Sequence, residues 1–248
     1  MFRRSLPTPE WALPGQRIVV ALVDLRPWRP WLTEALAFID PSETERMQRQ
    51  RRVADRQTLT LAYAMHRLLL AEGLQMAPLE VPLYRDERGC PRLRDGRMWT
   101  SLSHADGFIA LAICADGPVG VDIELAGRAA TMQEIAGHVC HGAEVAALTG
   151  LAKAERQKAL LSLWVRKESM LKAAGIGLMQ EMSGFLAPED EPLPLPSRDG
   201  ESTRTRMLDA GPVCLAAVAG PVDATIACAW LRPAELGPSD GRGPPGAA

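Results

Sequence analysis

The stretch from 108 to 124 constrains this chain more than any other. Phe108-Ile109-Ala110-Leu111-Ala112-Ile113-Cys114 is an apolar strand, Ala115-Asp116-Gly117-Pro118 is a turn, and Val119-Gly120-Val121-Asp122-Ile123-Glu124 reads as the returning strand. Side chains alternate along a strand, so Val121 and Ile123 point one way and Asp122 and Glu124 the other. Two positions apart on one face, the carboxylates have Cα atoms about 6.5–7 Å apart. That spacing fits a solvated strand face. It also fits a hard-cation site, because two oxygens on a rigid strand suit Mg²⁺, which keeps waters and substrate phosphates in its other positions.

A second acid sits on a helix. Residues 144–174 read as one long helical region ended by Gly175 at the C′ position. Its apolar stripe runs through Leu160, Leu161, Trp164 and Leu171. Glu168, four residues after Trp164 and three before Leu171, lies along that stripe. A carboxylate beside a buried face needs a partner. Lys172 at i+4 is one candidate, worth only about 0.3–0.5 kcal/mol as a surface pair; a cation shared with Asp122 and Glu124 is a stronger one. Ser101-Leu102-Ser103-His104 lies just upstream of the 108–124 hairpin. A lone His after a strand is usually structural, but this one opens the hairpin that carries the acids and is placed to line the same cleft.

Charge balance limits the function classes. Twenty-eight Lys and Arg against 30 Asp and Glu leave a formal net charge of -2, so there is no dominant basic field of the kind that collects nucleic-acid phosphates. Any polyanion must be met by a local patch. Arg46, Arg49, Arg51, Arg52 and Arg56 against Asp55 supply one, either as a solvated helix face or as a phosphate grip. Five cysteines with no CxxC pair make no disulfide framework. His138-Val139-Cys140-His141 lacks the second cluster a tetrahedral soft-metal site needs. No apolar run approaches the roughly 18–20 residues of a membrane span, and the first residues carry charge without the apolar core of a secretory signal. The expectation is a soluble, reduced, cytoplasmic protein.

Elsewhere the pattern predicts an irregular lead-in at 1–16, a strand at 18–25, and a mostly helical segment at 30–72 stopping at Gly73. It places a capping box within 41–45 and short strands at 81–84 and 98–101. A Pro- and acid-rich loop follows at 187–201, then strands 213–218 and 225–231 pairing as a last hairpin, and a disordered tail at 233–248.

Three ordered blocks carry a resemblance. Ser103-His104, then Gly120-Val121-Asp122-Ile123-Glu124, then Trp164-Val165-Arg166-Lys167-Glu168 with Lys172 and Gly175-Ile176-Gly177-Leu178, are similar to the 4′-phosphopantetheinyl transferases. Among these they most resemble the larger, surfactin-synthetase-activating (Sfp-type) class. The resemblance is clear over residues 46–185. It implies transfer of the phosphopantetheine arm of coenzyme A to a serine of an apo acyl or peptidyl carrier protein, with Mg²⁺ (or Mn²⁺) as cofactor and release of 3′,5′-ADP. Asp122, Glu124 and Glu168 resemble the metal ligands, and Glu168, or a water it holds, the base. Lys172 resembles the lysine that neutralises the phosphates. Ser103, His104 and Arg46 match positions near the coenzyme A phosphates, and Glu144 matches a family glutamate of unassigned role. Where the family often has Gly-Lys-Pro, this chain has Gly89-Cys90-Pro91; either Arg88 or Arg92 replaces that lysine, or the contact is missing.

The implied fold is α+β, a monomer of two similar halves related by a pseudo-two-fold. Each half is a small antiparallel sheet on a long helix, 17–115 and 116–232, with the site between them. The alternative is a non-catalytic relative that binds coenzyme A or a carrier, to which the Cys90 departure lends its support.

Overall fold

The structure, a computed structural model, describes residues 17–177 and 180–233. The expected lead-in, the tail beyond Pro233 and Leu178 of the third block lie outside the described residues.

The chain opens with β1 (Arg17–Asp24), whose alternation serves two cores. Val19, Ala21 and Val23 pack one way and Ile18, Val20 and Leu22 the other. Short helical turns over 26–38 bury Trp28 and Trp31 and lead to α1 (Pro41–Gln48). The capping box lies one step earlier than the sequence pattern suggests. Asp40 is the N-cap and accepts from the Glu43 N–H, while Glu43 reaches back to the Asp40 N–H. Pro41 explains the shift, since its fixed φ and missing N–H suit the first helical position, not the cap. Helix α2 (Val53–Leu74) runs through Gly73, which lies against Met98 and Ile113, and reverses at Gln75 with φ 54°.

Strands β2 (Leu83–Arg85) and β3 (Pro91–Leu93) form a small ribbon. Then β4 (Trp99–Ala105) and β5 (Phe108–Cys114) pair as a hairpin, with His104 opposite Ile109. The expected return hairpin of 108–124 is not formed. β5 is already flanked by β1 and β4, so it has no free edge, and the Asp116-Gly117-Pro118 turn carries the chain into a second sheet as β6 (Gly120–Leu125).

The predicted helix 144–174 is two helices. α3 (Gly142–Leu148) and α4 (Lys153–Ala174) are separated by Gly150 at φ 92°, a conformation most residues avoid. Gly175, at φ 72°, ends α4 as expected. β7 (Pro192–Pro194), β8 (Ser202–Leu208) and β9 (Cys214–Gly220) complete the second sheet in the antiparallel order β6-β9-β8-β7. β9 is flanked by β6 and β8, so the predicted last hairpin also fails. β10 (Thr225–Leu231) crosses to the first sheet and runs parallel to β1, giving the order β10-β1-β5-β4.

The result is an α+β molecule of four layers. One core lies between α2 and the first sheet, a second between the two sheets, a third around α4 and the outer face of the second sheet. Helix α4 lies so close on β6 that a Cβ on Gly120 would meet the Ser169 carbonyl oxygen and the Ala173 nitrogen; glycine is the residue that permits this contact. Among the described residues no helix is long and apolar enough to cross a membrane, and all five cysteines are free.

Each long helix also carries a buried cation that ties down its own half. Arg67 donates to Glu43 and Asp40 at 2.9 and 2.6 Å and to the carbonyls of Pro78 and Val81. Lys167 lies 2.6 Å from Glu144 and donates to the carbonyls of Val139, Met182 and Phe185.

Candidate active site

The first sheet ends at β4 and the second at β6, and these two edge strands lie side by side. Side chains join them: Ser101 Oγ accepts from the Val121 N–H at 3.1 Å, and Ser103 Oγ donates to Asp122 Oδ1 at 2.8 Å. Val121 and Ile123 point into the core between the sheets. Asp122 and Glu124 share a face with Gly120, and that is the face packed on α4. One turn of α4 then brings Glu168 and Lys172 to the same place.

A cavity of about 350 Å³ opens there. It is lined by Arg46, Ser103, His104, Asp122, Glu124, Glu168 and Lys172, together with Leu59, Tyr63, Arg85, Leu102 and Trp164. Arg46, Ser103, His104, Asp122, Glu124, Glu168 and Lys172 therefore face one space. Four elements supply them: α1 gives Arg46, β4 gives Ser103 and His104, β6 the acid pair, and α4 the remaining two.

The electrostatics are tightly organised. Lys172 Nζ reaches Asp122 Oδ1 at 2.6 Å and donates to Ser103 Oγ at 2.8 Å, so one cation, one hydroxyl and one carboxylate form a closed cluster. Asp122 is 4% exposed and its second oxygen, Oδ2, is buried with no hydrogen-bond partner. Glu124 pairs with Arg128; burial, then the Asp122 charge, pushes its pKa up. Burial and the charges of Asp122 and Glu124 push Glu168 up to about 7, against the opposing effect of Lys172. His104 is open to solvent, yet the protein around it and the Lys172 charge hold its imidazole below the usual value.

Of the arginine run, Arg46 alone lines this cavity. Arg49 pairs with Glu45 on the surface and Arg56 donates to the carbonyls of Gln50 and Arg51. Neither Arg88 nor Arg92 lines this cavity. Arg88 donates to the Gly175 carbonyl, and Arg92 pairs with Asp86 and lies over Trp99. Arg85 does line the cavity, stacked on Tyr63 and donating to the Gly89 carbonyl. Sequence reasoning missed it; its place on β2, set back from the Gly89-Cys90-Pro91 turn it braces, is the signal that could have found it. Arg128 was missed too, although its distance of four residues from Glu124 marks it. Glu144 is not in the cavity: it caps α3 and accepts from Lys167 and from the Ala187 N–H. His141 caps the same helix, its Nδ1 accepting from Ala143.

The donor set fits a hard divalent cation. All three acids offer oxygen ligands, and a buried carboxylate oxygen with no partner is a group that a cation would satisfy. Among the described residues no three acidic, imidazole or thiol groups stand together as a ready-made metal cluster. Lys172 and Arg128 occupy Asp122 and Glu124 instead.

Comparison with known proteins bears on this same segment. Residues 118–212 match the family model ACPS, described as the 4′-phosphopantetheinyl transferase superfamily. A protein of Synechocystis sp., provisionally named a 4′-phosphopantetheinyl transferase, is 27% identical over 166 residues, 65% of this chain and 67% of that protein. The 4′-phosphopantetheinyl transferase AcpT of Salmonella typhimurium is 31% identical over 118 residues, 47% of this chain and 60% of AcpT. AcpT of Escherichia coli O157:H7 is 30% identical over a stretch of the same length. The part of the chain that carries Asp122, Glu124, Glu168 and Lys172 is thus the part that is similar to the 4′-phosphopantetheinyl transferase superfamily.

Proposed function

We propose that this protein transfers the 4′-phosphopantetheine arm of coenzyme A to a serine of an apo acyl or peptidyl carrier protein, as a cytoplasmic member of the larger, Sfp-type class with two halves in one chain. The observation that carries the reading is the cavity whose lining brings Glu168 and the Lys172–Ser103–Asp122 cluster together with Arg46 and Arg85. That arrangement suits attack on a phosphate by a hydroxyl: a carboxylate to take the proton, and fixed positive charge for the phosphates.

In the proposed step the carrier serine oxygen bonds to the β-phosphorus of coenzyme A, and the bond from that phosphorus to the bridging oxygen breaks. The electron pair leaves with 3′,5′-ADP, and the serine proton passes to Glu168. Lys172 spreads its charge over the phosphate oxygens as negative charge accumulates on the departing diphosphate bridge. Arg46 and Arg85 supply positive charge for the outer phosphates, and Ser103 and His104 line the path between. Asp122, Glu124 and Glu168 would hold Mg²⁺, which when bound neutralises the pyrophosphate and polarises it toward attack.

The test mixes the protein with Mg²⁺, coenzyme A and apo carriers from fatty-acid, polyketide and peptide systems. A mass increase of one phosphopantetheine group on the carrier, matched by 3′,5′-ADP, supports the reading. Coenzyme A binding without modification of any carrier, unchanged in Asp122→Ala, overturns it in favour of a non-catalytic relative.

A further inference from the structure

The three acids of the cavity are compensated in three different ways. Asp122 has Lys172 and Ser103 on one oxygen and nothing on the other. Glu168 shares the cavity lining with Lys172, one helical turn on. Glu124 is held by Arg128, a residue outside the cavity wall. The guanidinium of Arg128 lies over the Trp164 ring, 4.5 Å from its centroid. Arg128 is 35% exposed and Glu124 17%. The cation therefore rests on an aromatic face while it holds Glu124 and has an open route to solvent, whereas the carboxylate stays inside.

We propose that Arg128 is a built-in counter-ion that competes with a divalent cation for Glu124 and sets how tightly that cation binds. The inference rests on reading Asp122, Glu124 and Glu168 as a hard-cation donor set. A guanidinium on Glu124 Oε1 opposes a divalent ion there by its charge and by blocking that oxygen, so an ion that takes Oε1 must displace Arg128 from it. Desolvated carboxylates that repel one another would cost folding free energy without internal cations. Lys172 and Arg128 neutralise two of the three and hold the site together before an ion arrives. Trp164 gives Arg128 a platform that keeps it nearby once released, because a flat guanidinium stacks on an indole face better than an ammonium does. Arg128 is thus a positioning residue acting through Glu124.

The experiment measures Mn²⁺ binding to the full chain, by the electron-paramagnetic signal of free Mn²⁺, for wild type, Arg128→Gln and Arg128→Lys, with no coenzyme A present. Arg128→Gln is expected to bind about tenfold tighter, which is about 1.4 kcal/mol, and Arg128→Lys to stay near wild type. A second readout follows tryptophan emission during the same titration. Wild type should change as Arg128, released from Glu124, shifts on the ring, and Trp164→Phe and Arg128→Gln should not. Equal or weaker binding by Arg128→Gln in a wild type that does bind Mn²⁺ overturns this inference alone. Equal tightening in the Gln and Lys variants also overturns it, since packing and not charge would then be the cause. If no form binds Mn²⁺, the donor-set reading and this inference fall together. Should Arg128→Gln not fold, the emission titration decides: a change that persists in Trp164→Phe overturns the proposal.

Discussion

The two halves share a scaffold down to the position of one buried cation. Helices α2 and α4 are both 22 residues long, and Arg67 and Lys167 are the fifteenth residue of each. Each cation meets the third residue of a short helix closed by a capping box, Glu43 in one half and Glu144 in the other, and each pins the loop that follows its own long helix. The halves part at the next positions. The sixteenth residue is Leu68 in α2 and Glu168 in α4; the twentieth is Glu72 and Lys172. The leading strands diverge as well. β1 is interior, with β10 and β5 at its edges, and is apolar through its middle; β6 is an edge strand and carries Asp122 and Glu124. A strand with a free edge leaves room for polar side chains to meet a neighbour, and that is where β4 contributes Ser103. The latch is repeated and the chemistry is not.

The largest test of that difference is at the sixteenth position. Glu168→Gln should lower turnover by roughly 10²–10⁴-fold, the usual worth of a positioned general base, with the melting temperature little changed. Leu68→Ala should do the reverse, costing about 2–5 kcal/mol of stability as a cavity opens, with kcat per folded molecule preserved. Activity retained in Glu168→Gln breaks the contrast. At the fifteenth position the halves should instead agree. Arg67→Ala and Lys167→Ala each leave buried oxygens unpaired and should each cost about 3–5 kcal/mol in denaturant unfolding. If one is neutral, the repeated latch is not a shared structural device.

The twentieth position sharpens the comparison further. Lys172→Ala should lower kcat by roughly a hundredfold and change KM less, if its charge acts mainly on the transition state. Its counterpart Glu72 is exposed, so Glu72→Ala should stay within about 0.5 kcal/mol of wild type and leave kinetics alone. A steady-state comparison of the two variants checks both, and a rise in KM without a fall in kcat would reassign Lys172 to ground-state binding.

Much of this site was legible in the sequence because it depends on local periodicity. Alternation put Asp122 and Glu124 on one face, and helical spacing set Glu168 and Lys172 one turn apart. What was not legible depends on which strand edges are free. The 115–118 turn looks like a hairpin turn, but β5 is claimed on both sides by strands distant in the chain, and β10 pairs with β1 across most of the sequence. Glu144 carried no assigned role in the sequence because nothing near it in the chain points to Lys167, which reaches it through the fold. Arg85 and Arg128 stayed hidden for a similar reason: an arginine on a ribbon or after a strand has no period that reveals what it stacks on.

The smallest expected effect concerns the fourteenth position, His66 in α2 and Arg166 in α4. His66 is fully buried, its Nε2 is 2.6 Å from Thr100 Oγ1, and its Nδ1 is buried without a partner. Burial, then the charges of Arg85 and Arg67, pulls its pKa from 6.5 down to about 3. The folded protein thus keeps His66 neutral where the unfolded chain protonates it, and between pH 6.5 and about 3 the unfolded state binds the extra proton. Stability attributable to His66 is complete above pH 6.5 and falls as the pH drops through that window, by at most about 1.4 kcal/mol per pH unit. Arg166 stays charged in both states across that range and adds no such slope. His66→Gln keeps a hydrogen-bonding side chain and removes the titration, so its urea-unfolding free energy should lose less than that of wild type between pH 6.5 and 4.5. Parallel pH profiles for the two proteins would show instead that the folded state accommodates a protonated His66.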